Sequence, residues 1–134
     1  MLTNIRAFAQ QKSRLSALRL VLAFILGAST ALSFAPYSFW IIYPIAMALA
    51  LWQSESLSPK ASFFHWLSFG FGCFAVGISW VHVSMDTFGG LPLAASVGLM
   101  ALLALYLALY PALTGLGLAW LTRTNTPSLW RNLL

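Results

Sequence analysis

Apolar residues in this chain fall into four long blocks, parted by short polar or proline-bearing breaks. The first runs from 16 to 34 and is interrupted only by Arg19; the second covers 38–52, the third 63–85 and the fourth 93–121. In the third block the only acidic or basic side chains are two histidines, His65 near one end and His82 near the other. A helix rises about 1.5 Å per residue, so a block of this length crosses a hydrocarbon core of roughly 30 Å. The pattern predicts an all-α integral membrane fold: four transmembrane helices at about 16–34, 38–52, 63–85 and 93–121, forming a single membrane domain over 1–134 with no soluble domain. The second block is near the lower limit for crossing and contains Pro44, which predicts tilt or a kink. The fourth exceeds the core thickness, and Pro111 supplies a bend.

The breaks carry turn chemistry. SFAPYSF (33–39) reads as a tight hairpin, because Pro36 disfavours helix at Ala35 and cannot donate a backbone hydrogen bond. QSESLSPKA (53–61) is the most polar internal stretch and the clearest loop, and the third break centres on Gly89-Gly90.

The third block is the one around which the rest is arranged. Gly70, Cys73, Gly77 and Ser84 recur at helical spacing and predict a stripe where another backbone approaches closely. The block then passes through Trp80-Val81-His82-Val83-Ser84 into Phe88-Gly89-Gly90-Leu91-Pro92. That polar end has to lie near water or inside protein, since a broken backbone facing lipid leaves amide groups unpaired.

Composition agrees with a bilayer. Of the residues, 60% are hydrophobic and 7% charged, too few charges for the surface of a soluble domain. Trp40, Trp52, Trp66, Trp80 and Trp120 fall near the ends of the blocks, where an aromatic belt belongs. With four spans, all seven Lys and Arg residues lie on one side, and the positive-inside rule then places both termini in the cytoplasm. The net charge of +5 accordingly reports topology and contact with anionic lipid, and the basic residues are too dispersed for a nucleic-acid surface. A signal peptide is rejected for residues 1–34, because the apolar run outlasts a signal core and continues past Ser29-Thr30-Ala31.

Few residues offer chemistry. Asp86 follows the third block and reads as a solvated loop residue, with His82 four positions earlier on the same helical face. No nucleophile stands beside them by sequence. His65 beside Trp66 reads as an interface anchor. One cysteine, Cys73, permits no internal disulfide, and two distant histidines make no metal site; neither metal nor cofactor is expected. Gly89-Gly90 is too short to cradle a phosphate and reads as a turn. Tyr106 and Tyr110, one turn apart, read as packing residues.

Three segments, SFAPYSFW, GFGCFAVGISWVHVSMDTFGGLP and LALYLALYPALTGLGLAWL, together resemble the N-terminal membrane region of bacterial apolipoprotein N-acyltransferases. The most specific is GxxWVxVSxxTFGG, carried by Gly77, Trp80, Val81, Val83, Ser84, Thr87, Phe88, Gly89 and Gly90. The resemblance covers nearly the whole chain but only about the first quarter of the family protein. It implies a multi-pass protein of the bacterial inner membrane. In that family an eight-span domain carries a periplasmic nitrilase-like domain, whose Glu-Lys-Cys triad moves an acyl chain from phospholipid, through a thioester, to the N-terminal amine of a lipoprotein. No residue here matches that triad: Cys73 lies mid-span, with Lys60 and Glu55 in or beside the 53–61 loop. The chain is therefore expected to be a truncated or split member, inactive alone, supplying anchoring and a lipid platform. Trp80, His82, Phe88, Gly89 and Gly90 are its expected lipid or interface contacts. Its partners are membrane phospholipid, lipoprotein through the missing domain, and the remainder of a split enzyme, with no nucleic acid. Two other classes stay open: a small four-span transporter, which needs an intramembrane carboxylate that the blocks lack, and a structural subunit.

Overall fold

The computed structural model describes the backbone of residues 2–34 and 37–124, with side chains from 14 to 34 and from 37 to 122. The hairpin proline and the tail from 125 onward lie outside the described residues. Helix α1 spans Leu2–Ser29 and tightens into a 3-10 turn over Thr30–Ser33. Helix α2 spans Ile42–Ser54, α3 Pro59–Gly77, α4 Val81–Thr87 and α5 Leu93–Thr124.

The starts and stops follow local chemistry. Ser58 caps α3, its hydroxyl accepting from the Ala61 amide at 3.4 Å, and Pro59 occupies the first helical position, where a missing N–H costs nothing. Pro44 falls in the first turn of α2, so it neither kinks nor breaks that helix. Pro111 is accommodated inside an uninterrupted α5.

The expected third span is divided. Helices α3 and α4 meet at a bend of 48° across residues 78–80, and they count as one span only if the bent pair is taken together. Among the described residues, Arg14–Ser33 and Leu93–Thr122 are long and apolar enough to cross a membrane. Helix α2, at 13 residues or about 20 Å, is shorter than those.

Contacts between named residues set the direction of each helix. The Ser68 hydroxyl donates to Leu20 O, Gly72 lies against Phe24 and Cys73 against Thr30, so α1 and α3 ascend together. Ser62 reaches Gly115 while Gly70 meets Ala108, so α5 runs against α3. The chain must return between α1 and α3, and α2 makes that return, touching α3 where His65 Nε2 donates to Ala50 O at 3.1 Å. Helix α3 is the centre, packed on α1 along one side and on α5 along another.

The packing inverts the pattern of a soluble bundle. Buried positions on the outer helices are small: Ala23, Gly27 and Thr30 on α1, Ala46, Ala50 and Ser54 on α2, and Ala104, Ala108, Ala112, Gly115 and Ala119 on α5. Into these small faces α3 inserts His65, Trp66 and Phe69, with Trp66 and Phe69 edge to face at 5.4 Å. Leucines and phenylalanines of α1, α2 and α5 turn outward in large number. In lipid no hydrophobic force draws helices together, so close backbone approach and dispersion hold them, and apolar bulk belongs outside. This corrects the assignment of His65 and Trp66 to the interface: they are 1% and 6% exposed, whereas Trp40, Trp52, Trp80 and Trp120 all stand open.

Candidate functional site

The bend between α3 and α4 has a local cause. Gly77 contributes no side chain to the last turn, and β-branched Ile78, Val81 and Val83 are poorer helix formers. His82 Nδ1 donates to the Ser79 carbonyl, three residues back across the bend. The backbone remains bonded through the bend: Ile78 N keeps the α-helical bond to Phe74 O at 2.9 Å, and two tighter bonds follow, Ser79 N to Val76 O at 3.2 Å and Val81 N to Ile78 O at 2.9 Å. A bend so bonded is tolerable at membrane depth.

Helix α4 has no buried residue. It closes with the Gly89 amide on Met85 O at 3.1 Å, and Gly90 adopts a left-handed φ of 62°. A Cβ on Gly89 would lie 2.6 Å from Met85 O, so the glycine pair is the turn that ends α4. Phe88, at 87% exposure, projects from that turn.

Below the bend a cleft of about 680 Å³ opens between the end of α1 and the end of α3. Leu32, Phe34 and Tyr37 form one wall, and Phe74, Gly77 and Trp80 the other. A Cβ on Gly77 would meet nothing within 4 Å, so that glycine leaves cleft volume rather than a helix contact.

The four small residues of the expected stripe thus part company. Gly70 packs on α5, where a Cβ would lie 2.5 Å from Pro111 Cγ and 3.1 Å from Ala108 Cα. Cys73 faces α1, its sulfur 3.1 Å from Thr30 Oγ1. Gly77 lines the cleft, and Ser84 lies beyond the 48° bend on α4. The tightest contacts fall on glycines that the stripe did not include. A Cβ on Gly27 would sit 1.9 Å from Phe69 O, one on Gly72 2.2 Å from Phe24 O, and one on Gly115 1.9 Å from Trp66 Cδ1. The signal was present in the spacing of Ala23-Gly27 and of Ala104-Ala108-Ala112-Gly115-Ala119.

His82 and Asp86 form no pair, since the imidazole turns back to Ser79 and Asp86 points away exposed. Cys73 touches a hydroxyl and no acid or base, which gives its thiol no means of activation. Tyr106 and Tyr110 stack edge to face at 6.0 Å on an exposed face of α5. Among the described residues no group of three His, Cys, Asp or Glu side chains converges as a metal site. The arrangement offers a largely apolar cleft walled by Phe34, Tyr37, Phe74 and Trp80, and a glycine-closed turn, with no assembled nucleophile among the described residues.

The family model described as the apolipoprotein N-acyltransferase N-terminal domain matches residues 26–134. The chain is 94% identical over its whole length to an apolipoprotein N-acyltransferase of Shewanella oneidensis, of which it covers 26%. It is 50% identical over 78% of its length to the Photobacterium profundum protein of that name, covering 20% of it. With the Vibrio cholerae counterpart it shares 47% identity over 84% of its length, covering 22%. The chain therefore spans about a quarter of the length of the relatives it matches.

Proposed function

The chain belongs to the apolipoprotein N-acyltransferase N-terminal domain family, and from that premise we propose that it is the membrane platform on which acyl transfer from phospholipid to lipoprotein amines takes place. Four traverses of the inner membrane, α1, α2, the bent pair α3–α4, and α5, put both termini in the cytoplasm. The Trp80–Pro92 end then faces the periplasm. The cleft beside Gly77 carries this reading: an apolar volume of about 680 Å³, lined by Leu32, Phe34, Phe74 and Trp80, suits an acyl chain and sits beneath the GxxWVxVSxxTFGG segment. Trp80, His82, Phe88, Gly89 and Gly90 border the lipid there. The chemistry itself belongs to residues outside this chain, because Cys73 has no activating partner.

The topology predicts that, on a Cys73→Ser background, a cysteine at Asp86 reacts with an impermeant thiol reagent from outside and one at Ser56 does not. The opposite pattern inverts the platform and removes the reading. The functional test is complementation of cells depleted of their apolipoprotein N-acyltransferase, scoring triacylated lipoprotein by mass spectrometry. This chain alone is expected to give none, and to give it when the remaining sequence of a relative is supplied. Triacylation by this chain alone, lost on Cys73→Ser, would place the nucleophile in the membrane and refute the proposal.

A further inference from the structure

At the opposite end of α3 the turn between α2 and α3 folds against α1 and leaves a second polar recess. A cleft of about 350 Å³ is lined by Arg19, Trp52, Gln53, Glu55 and Ser56. Its walls carry opposite charges that do not meet: among the described residues the Arg19 guanidinium and the Glu55 carboxylate form no ion pair with each other. The guanidinium belongs to an apolar stretch of α1, where an unmatched charge is costly and a counter-group is favoured. Trp52, exposed at the rim, is the side chain that settles at headgroup level. A smaller cleft of about 190 Å³, which Arg19 also lines, has Leu20, Leu57, Ala61 and Phe64 in its walls together with Ser16 and His65, and continues the recess into a largely apolar surface.

We propose that this recess holds the headgroup of a phosphoethanolamine lipid as a resident ligand. The phosphate takes the Arg19 guanidinium, whose planar fork matches phosphate oxygens. The primary ammonium lies against the Glu55 carboxylate, and the start of an acyl chain follows Leu20 and Phe64. A headgroup of net negative charge would set its second hydroxylated arm against Glu55 with nothing to neutralise that carboxylate. A quaternary ammonium has no N–H to give the Glu55 carboxylate. The site is independent of the acyl-transfer reading, which concerns the other end of α3.

The test is native mass spectrometry on the full chain, delipidated in detergent and offered phosphatidylethanolamine, phosphatidylcholine and phosphatidylglycerol at equal concentration. Phosphatidylethanolamine is expected to be retained about tenfold over either competitor, as a difference of one charge-assisted hydrogen bond allows. Arg19→Gln should abolish retention of all phospholipid at this site. Glu55→Gln should keep phospholipid but shift the preference toward phosphatidylglycerol, and because it leaves Arg19 in place it reports selectivity even if Arg19→Gln folds poorly. Equal retention of the three lipids by the parent, or a preference that Glu55→Gln leaves unmoved, overturns the proposal. Inorganic phosphate competing as well as the lipid would also overturn it, by making the recess an anion site without lipid specificity.

Discussion

The two halves of the third apolar block share composition but not their relation to the rest of the chain. From Ser62 to Cys73 each turn of α3 is seated: Ser62 Oγ donates to Gly115 O at 2.9 Å, His65 reaches Ala50, Trp66 covers Gly115, and Gly70 and Gly72 admit α5 and α1. From Gly77 to Gly90 the chain bends, contacts little and displays Trp80, Val83 and Phe88. Both halves are rich in glycine and aromatics, yet in one the glycines let helices touch and in the other they leave space or end a helix. The lesson is that a small residue acquires its meaning from the opposing surface.

The largest expected effect comes from putting a side chain where backbones meet. Gly72→Leu has no room, since even a Cβ would stand 2.2 Å from the Phe24 carbonyl and 3.0 Å from the Ala28 amide nitrogen. Neither obstacle is a flexible side chain, so α1 and α3 must separate. Overpacking costs about 1–3 kcal/mol, and this site belongs at the upper end. The measurement is the melting temperature in detergent beside the parent; an unchanged melt would dissolve the distinction between the seated and open halves.

A smaller loss is expected from His65→Phe, which keeps the ring and its edge-to-face contact with Trp66 but deletes the bond to Ala50 O. Interhelical side-chain hydrogen bonds in membranes are worth about 0.6 kcal/mol on average and about 1.7 at most. The melt should fall by less than for Gly72→Leu. A larger fall would make the histidine bond to α2, rather than the glycine contacts with α1 and α5, the chief tie of α3.

Helical class and the two long apolar helices, Arg14–Ser33 and Leu93–Thr122, were legible in the sequence because they depend on length and hydropathy, which are local properties. The 48° bend was not, because it arises where weak propensities at Gly77-Ile78 combine with His82 capturing the Ser79 carbonyl, a side-chain choice invisible to a hydropathy pattern. Burial of His65 was hidden for a related reason. An imidazole near a span end is equally consistent with an interface, and only Ala50 on α2, fifteen residues away, brings it inside. The packing stripe was assigned within one helix, but close approach requires small residues on both partners. Gly72 is buried because α1 offers Phe24 and Ala28 backbone, and Gly77 is open because nothing reaches it. The motif around Trp80–Gly90 gave family membership directly, while the cleft beside it needed Leu32 and Phe34 from a different block.

Gly77→Leu is expected to have the smallest effect on stability, and for that reason it sharpens the comparison most. A Cβ at this position would meet no neighbouring part of the structure within 4 Å, so leucine meets no obstacle, and replacing glycine in a helical turn favours the fold by up to about 1 kcal/mol. The melting temperature should hold or rise slightly. The same side chain enters the cleft beside Trp80 and removes part of its volume, so crosslinking of a photoactivatable fatty acid to this region should fall several-fold while the fold is intact. Two melts then decide what Gly77 faces in a bilayer. If Gly77→Leu melts like the parent and loses the crosslink, the open half holds lipid. If it melts as low as Gly72→Leu, a protein surface is seated against Gly77 in the membrane, the cleft is a helix seat, and the two halves of the block differ only in which partner each one meets.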